Sequence, residues 1–308
     1  MMKILSLEQA AIIFPSFQNL DFLFNLFVTL EKYTIQVIEL EFYIAIVGIF
    51  LTLFHVYILA QKSIMMSSII SVMIGIGICD IVSMILAISV KHMIYNFYRD
   101  ECTPPLTVFI YRLFWVLMHS RDAFIRCSTW LGVLMALIRY VALRFVSRLS
   151  FQKIQSISFG FHATGVCFVV SSLMSIVNSW RTKIIETGVW KPGENCISPP
   201  KEVWLLHELR VSDAFSANNG ILLRIVMFIN GTSSRILPCL ILPILTILLI
   251  FEIQRTRQKM SSASFAVRKR TEKTTALVIF LAVTFFVASL PAGIFTLFQV
   301  MYTDIGFV

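Results

Sequence analysis

Charge is scarce in this chain. Only 14% of its 308 residues are Asp, Glu, Lys or Arg, against about a quarter in an ordinary soluble domain. That is too little to cover a water-exposed globule of this length. No Cys-x-x-Cys pair occurs among the six cysteines, which removes zinc ribbons and dithiol redox sites. Glu, His and Asp nowhere gather at metal or nucleophile spacing, so no enzyme, cofactor or metal site is expected. His162 stands alone in an apolar stretch as a packing or hydrogen-bonding residue. No internal repeat or matched pair of broken helices appears, which leaves a transporter as a minor alternative. Nor is a convincing signal peptide expected from the N-terminus. Lys3 leads a mildly apolar run, but Pro15, Gln18, Asn19 and Asp21 interrupt it and no small-residue cleavage site follows.

What is present is apolar residues, 57% of the chain, collected into runs long enough to cross about 30 Å of hydrocarbon at 1.5 Å per residue. Six spans are predicted, at about 42–60, 69–90, 109–143, 157–180, 226–251 and 274–299. The fold class is therefore an all-α integral membrane bundle. Residues 1–41 read as an extracellular N-terminal tail, with an amphipathic helix over 20–30 as the alternative. Residues 42–300 form the transmembrane domain, and 301–308 are a short extracellular end. Pro238 and Pro243 in the fifth span are tolerable where neighbouring helices satisfy the freed carbonyls.

The net charge of +9 is a topology signal rather than a nucleic-acid signature. Loops 61–68, 139–156 and 252–273 hold Lys62, Arg139, Arg144, Arg148, Lys153, Arg255, Arg257, Lys259, Arg268, Lys269, Arg270 and Lys273 against only Glu252 and Glu272. The positive-inside rule places these loops in the cytosol and the N-terminus outside. The basic loops suit anionic lipid or an acidic partner. Cys102 and Cys196 then fall in two outer, oxidising loops and are placed to bridge, whereas Cys79, Cys127, Cys167 and Cys239 are small packing residues within spans. Asn230-Gly231-Thr232 is a formal glycosylation sequon, set too close to the fifth span to suggest use.

Charges inside the spans mark function by default. Asp80 lies in the second span, and Arg121, Asp122 and Arg126 lie in the outer half of the third. Arg121 and Asp122 point about 100° apart, while Asp122 and Arg126 are four residues apart and share a face. An internal salt bridge and a polar ligand pocket both fit this triplet. The third span ends abruptly at Arg139-Tyr140.

An N-out helical bundle whose third span ends Ile138-Arg139-Tyr140 resembles the rhodopsin-like G-protein-coupled receptors. Asp80, Ser128, Trp130, Pro238, and Phe285 six residues before Pro291 stand at positions the family uses. A closer similarity is to the nematode serpentine chemoreceptors of the Srw class, relatives of receptors for FMRFamide- and myosuppressin-like peptides. It is carried by Phe42-Tyr43-Ile44-Ala45-Ile46-Val47-Gly48, by Met73 to Asp80, by Arg126 to Arg139, by Leu237-Pro238-Cys239 and by Thr274 to Val278. The resemblance implies a seven-transmembrane receptor at the plasma membrane that takes an extracellular peptide or small molecule and signals to a heterotrimeric G protein. It implies Arg139 and Tyr140 as the G-protein switch and Asp80, Ser128 and Thr52 as a polar network. It also implies Phe285 and Pro291 as a sixth-helix hinge and Cys102–Cys196 as the outer disulfide. Four departures stand out: Thr52 for the first-helix asparagine, Ile138 for the acid before Arg139, Ser289 for the sixth-helix tryptophan, and Cys102 farther from Arg139 than usual. The family's seventh helix is not found after Gln299, so the bundle is expected as one truncated to six spans. A truncated non-signalling product or dimerising partner is the alternative function.

Overall fold

The computed structural model describes residues 20–61, 67–97, 104–144, 153–190, 203–259 and scattered helical positions between 283 and 294. Five stretches among the described residues are helical, long and apolar enough to cross a bilayer: Gln36–Leu59, Ser68–Met93, Val108–Ala142, Ile157–Trp180 and Ile221–Arg255. The integral membrane bundle expected from composition is thus the observed architecture. Most of the predicted sixth span, including Phe285, lies outside the described residues, as do Cys102 and Cys196.

Helix α1 runs Leu20–Leu59, so residues 20–41 are helical rather than a plain tail. The reason is local: no proline and only Gly48 interrupt those forty residues, and nothing else in them breaks a helix. Forty residues rise about 60 Å, twice the hydrocarbon thickness. Helix α2 (Ser68–Phe97) continues about two turns past the predicted end at Val90. It passes Lys91 without interruption because the Lys91 ammonium sits 4.0 Å from the centre of the Phe42 ring on α1, which shelters the charge. Helix α3 (Val108–Arg144) starts just after Pro104-Pro105, which disfavour helix in the residues preceding them. Helix α4 (Ile157–Trp180) is capped by Ser156, whose hydroxyl accepts from the Phe159 N–H at 3.3 Å.

The segment expected as one long loop between the fourth and fifth spans contains a hairpin. Strands β1 (Thr182–Val189) and β2 (Leu205–Val211) pair antiparallel, Thr182 opposite Val211 and Val189 opposite Leu205, with an irregularity between Glu186 and Gly188. A short helix α5 (Asp213–Ser216) and a 3₁₀ turn (Asn218–Gly220) follow. The turn closes on Gly220 at φ 69°, a left-handed backbone that glycine adopts without penalty. Helix α6 (Ile221–Gly231), a π turn (Thr232–Ile236) and helix α7 (Leu237–Lys259) then form the fifth span.

The core is built where α2, α3 and α4 meet. Val72, Cys79, Cys127, Leu131 and Ile138 are buried together. Small residues let the backbones approach, the usual device where no hydrophobic effect drives helices together in lipid. A Cβ added to Gly160 of α4 would lie 1.9 Å from Ser71 Oγ and 2.7 Å from the Ser68 carbonyl oxygen of α2. The Ser71 hydroxyl in turn donates to the Ser68 and Ile157 carbonyls at 2.9 and 3.2 Å.

The π turn has a specific chemical consequence. The Leu237 N–H bonds to the Thr232 carbonyl, five residues back, and so is not left for Ser233. The next residue is Pro238, which has no N–H. The Ser233 carbonyl is therefore without a backbone donor, and the Trp130 indole N–H of α3 supplies one at 3.0 Å. Replacing Trp130 with phenylalanine orphans that carbonyl at a cost of about 1–3 kcal/mol. The expected outcome is a lower thermal midpoint of the purified protein, largely restored when Pro238→Ala returns a backbone N–H. A midpoint unaffected by Trp130→Phe would show that the indole bond carries no stability.

Candidate functional site

Arg126 organises the hairpin end of the bundle. It lies on α3, is 5% exposed, and reaches two other spans. Its Nε donates to Ser234 Oγ at 2.7 Å and its Nη2 to Asn230 Oδ1 at 2.6 Å, both on the fifth span. Its Nη1 donates to the Ser171 carbonyl at 2.9 Å and Ser175 Oγ at 3.3 Å on α4. A guanidinium is the side chain for this task, because its planar fork presents several donors in fixed directions. The pairing expected between Asp122 and Arg126 on one helix face is not formed. Asp122 is exposed while Arg126 turns inward, where four oxygens on neighbouring helices outbid a solvated carboxylate.

Beside Arg126 is a cavity of about 250 Å³ lined by Asp122, Asn178, Arg181, Asn230, Ser234 and Arg235, among others. Of the three charges predicted to mark a ligand pocket, Asp122 and Arg126 line it. Arg121 does not: it makes an ion pair with Glu41 of α1, tying the third span to the first. Burial lowers the Arg181 guanidinium below its ordinary range. A larger cavity, about 520 Å³, lies between α3, α4 and the hairpin, with Trp115, Phe124, Phe168, Ile184 and Leu209 among its walls. We take the smaller one as the candidate site because it gathers the charged groups, whereas the larger is mostly apolar.

Deeper in the bundle, the Ser128 hydroxyl donates to Asp80 Oδ1 at 2.6 Å. Thr52 and Asp80 line one cavity of about 360 Å³ with His55 and Met135. Thr52, Asp80 and Ser128, grouped as a polar network in the sequence reading, lie in one locality on three helices.

At the opposite end from the hairpin, Ile138 is 2% exposed and packs in the core. The departure noted before Arg139, Ile138 in place of an acid, is thus an apolar core residue. Arg139 is half-buried, and among the described residues no carboxylate pairs with it. Tyr140 accepts from Arg144 at 3.0 Å, and Arg144 lies 3.8 Å from Glu252 on α7. Pro291 is helical and exposed. Cys79, Cys127, Cys167 and Cys239 are free thiols.

The serpentine type 7TM GPCR chemoreceptor Srw family matches residues 39–308. The chain belongs to this family. It is accordingly a multi-pass membrane receptor of the chemoreceptor class. No curated protein matches the chain. Within this Srw receptor, Asn178, Arg181, Asn230, Ser234 and Arg235 are site residues that the sequence did not single out. The trace of the last three there is a polar stretch, Asn230 to Arg235, inside an otherwise apolar span. Asn230 was conspicuous only as a sequon, yet its side chain accepts from Arg126 and Ser234 within the bundle. That setting does not admit a glycan.

Proposed function

We propose that this Srw receptor sits in the plasma membrane with its N-terminus outside and takes an extracellular ligand at the Arg126 cavity. On this reading it passes the signal to a heterotrimeric G protein through Arg139 and Tyr140. The observation that carries the reading is the Arg126 centre itself. One buried cation joins α3, α4 and the fifth span beside an open cavity, so a ligand there touches three helices at once. The basic loops at the opposite end support the orientation. A cavity of about 250 Å³ falls just below the range of drug-sized pockets. It suits a small molecule or the terminal group of a peptide.

Among the described residues, a half-buried Arg139 beside an apolar Ile138 has no neighbouring acid to hold it in an inactive arrangement. Basal signalling is the expected result. Membranes from cells expressing the full chain with a heterotrimeric G protein should show guanine-nucleotide exchange above membranes lacking it, without added ligand. Arg139→Ala should bring exchange to background at equal surface expression. Exchange that persists in Arg139→Ala, or never rises above background, contradicts the switch.

A further inference from the structure

Three guanidinium groups, those of Arg126, Arg181 and Arg235, line the cavity together with a single carboxylate, that of Asp122. Arg126 spends its donors on α4 and the fifth span. Arg181 and Arg235 have no carboxylate within ion-pair distance among the described residues. The Arg181 Nε is buried without a hydrogen-bond partner, and so is Asn178 Oδ1 on the same wall, in a residue only 6% exposed.

The unmet Arg181 donor is costly to leave unmade, about 1–3 kcal/mol and more because it is charged, whereas Asn178 Oδ1 is an acceptor that an anion does not satisfy. Like charges gathered in a poorly screened cavity also repel one another. Both costs fall when an anion enters. Guanidinium and oxyanion match in shape as well, since two parallel N–H groups meet two oxygens.

We infer that the cavity binds a small molecule carrying an oxyanion, with Arg181 and Arg235 as its direct partners and Arg126 as the fixed cation behind them. This rests on the receptor reading only in taking the cavity as the ligand site. The anion's chemistry is set by the two free arginines: a carboxylate satisfies one fork, and a phosphate or sulfate ester can engage both. Size limits the remainder of the molecule to roughly one small ring or a short chain, given about 250 Å³ of space.

The test uses the purified full chain in lipid nanodiscs, with thermal unfolding followed at constant ionic strength. The probes are benzoate, phenyl phosphate and the neutral analogue benzamide. Benzoate or phenyl phosphate should raise the unfolding midpoint saturably at millimolar concentration, and benzamide should not. Whichever anion saturates at the lower concentration identifies the oxyanion class. Arg181→Gln and Arg235→Gln should each raise the half-saturating concentration at least tenfold, the double variant should abolish the shift, and Arg235→Lys should retain part of it. These arginines lie on the cavity wall and outside the Arg126 hydrogen bonds, so the variants are expected to fold. If neither anion shifts the midpoint, if benzamide matches them, or if the double variant responds like the parent, the inference is overturned. Signalling is read separately. Arg139-dependent exchange without anion binding sinks only this inference, and anion binding without exchange sinks only the receptor reading.

Discussion

Replacing Arg126 with methionine should lower the thermal midpoint of the purified receptor by roughly 6–9 °C. The side chain makes four hydrogen bonds, to Ser234, Asn230, Ser175 and the Ser171 carbonyl. Methionine fills a similar volume but offers no donor, so Asn230, Ser234 and Ser175 must find new partners or go without. Bonds to charged groups contribute about 1.5–3 kcal/mol each, and a buried orphan costs a similar amount. Repacking among the serines recovers part of this, leaving a net loss of about 3 kcal/mol at roughly 2–3 °C per kcal/mol for a chain of this size. Arg126→Lys should fall between, because an ammonium keeps the charge but cannot reach two helices in opposite directions. Thermal unfolding of the three proteins side by side decides the matter. A methionine variant as stable as the parent would mean that the arginine is tolerated rather than required.

Gly160→Ala should be nearly as damaging, and it fails for an opposite reason. Alanine is the better helix former by about 1 kcal/mol, so propensity alone predicts a gain. The added Cβ, however, would stand 2.7 Å from a main-chain oxygen, that of Ser68, as well as against Ser71. A backbone oxygen cannot swing aside, so α2 and α4 must separate and the Ser71 hydrogen bond to Ile157 across them is lost. Overpacking of this kind costs about 1–3 kcal/mol. Gly165→Ala, five residues along the same helix, has nothing within 4 Å of the new atom and should be neutral or slightly stabilising. Cell-surface expression and thermal midpoint of the pair separate a packing contact from a propensity effect. Equal behaviour of the two variants would contradict close α2–α4 contact at Gly160.

The membrane bundle was legible because lipid imposes one simple requirement, length of apolar helix, which a linear reading detects. The Asp80–Ser128 bond was also within reach, since an acid in hydrocarbon has to find a donor. The hairpin was less so. Thr182–Val189 and Leu205–Val211 are short and carry charges, and their pairing depends on two segments that only the bundle's end brings together. Arg126 was visible as an anomaly, but its partners were not. An arginine shows that a buried cation exists; which helix answers it depends on rotations that apolar periodicity leaves open. Arg181 was hidden for a further reason, because it stands at the end of a helix, where a cation ordinarily needs no explanation. The α1 boundary differs from the tail expected over residues 1–41 because a helix longer than the bilayer can carry charged residues such as Glu31, Glu39 and Glu41 beyond it.

The π turn at Thr232–Ile236 means that the fifth span stores one residue more than a regular helix would need to cover the same path. The surplus is pinned from α3 at two points, by Arg126 at Asn230 and Ser234 and by Trp130 at Ser233. If the turn relaxed to an ordinary helical one, everything beyond it would rotate by about 100° and advance by about 1.5 Å. Glu252, at the far end of that lever, would leave Arg144. The third helix thus acts as a ruler laid along the fifth, and slack held at one end of the ruler is measured out at the other.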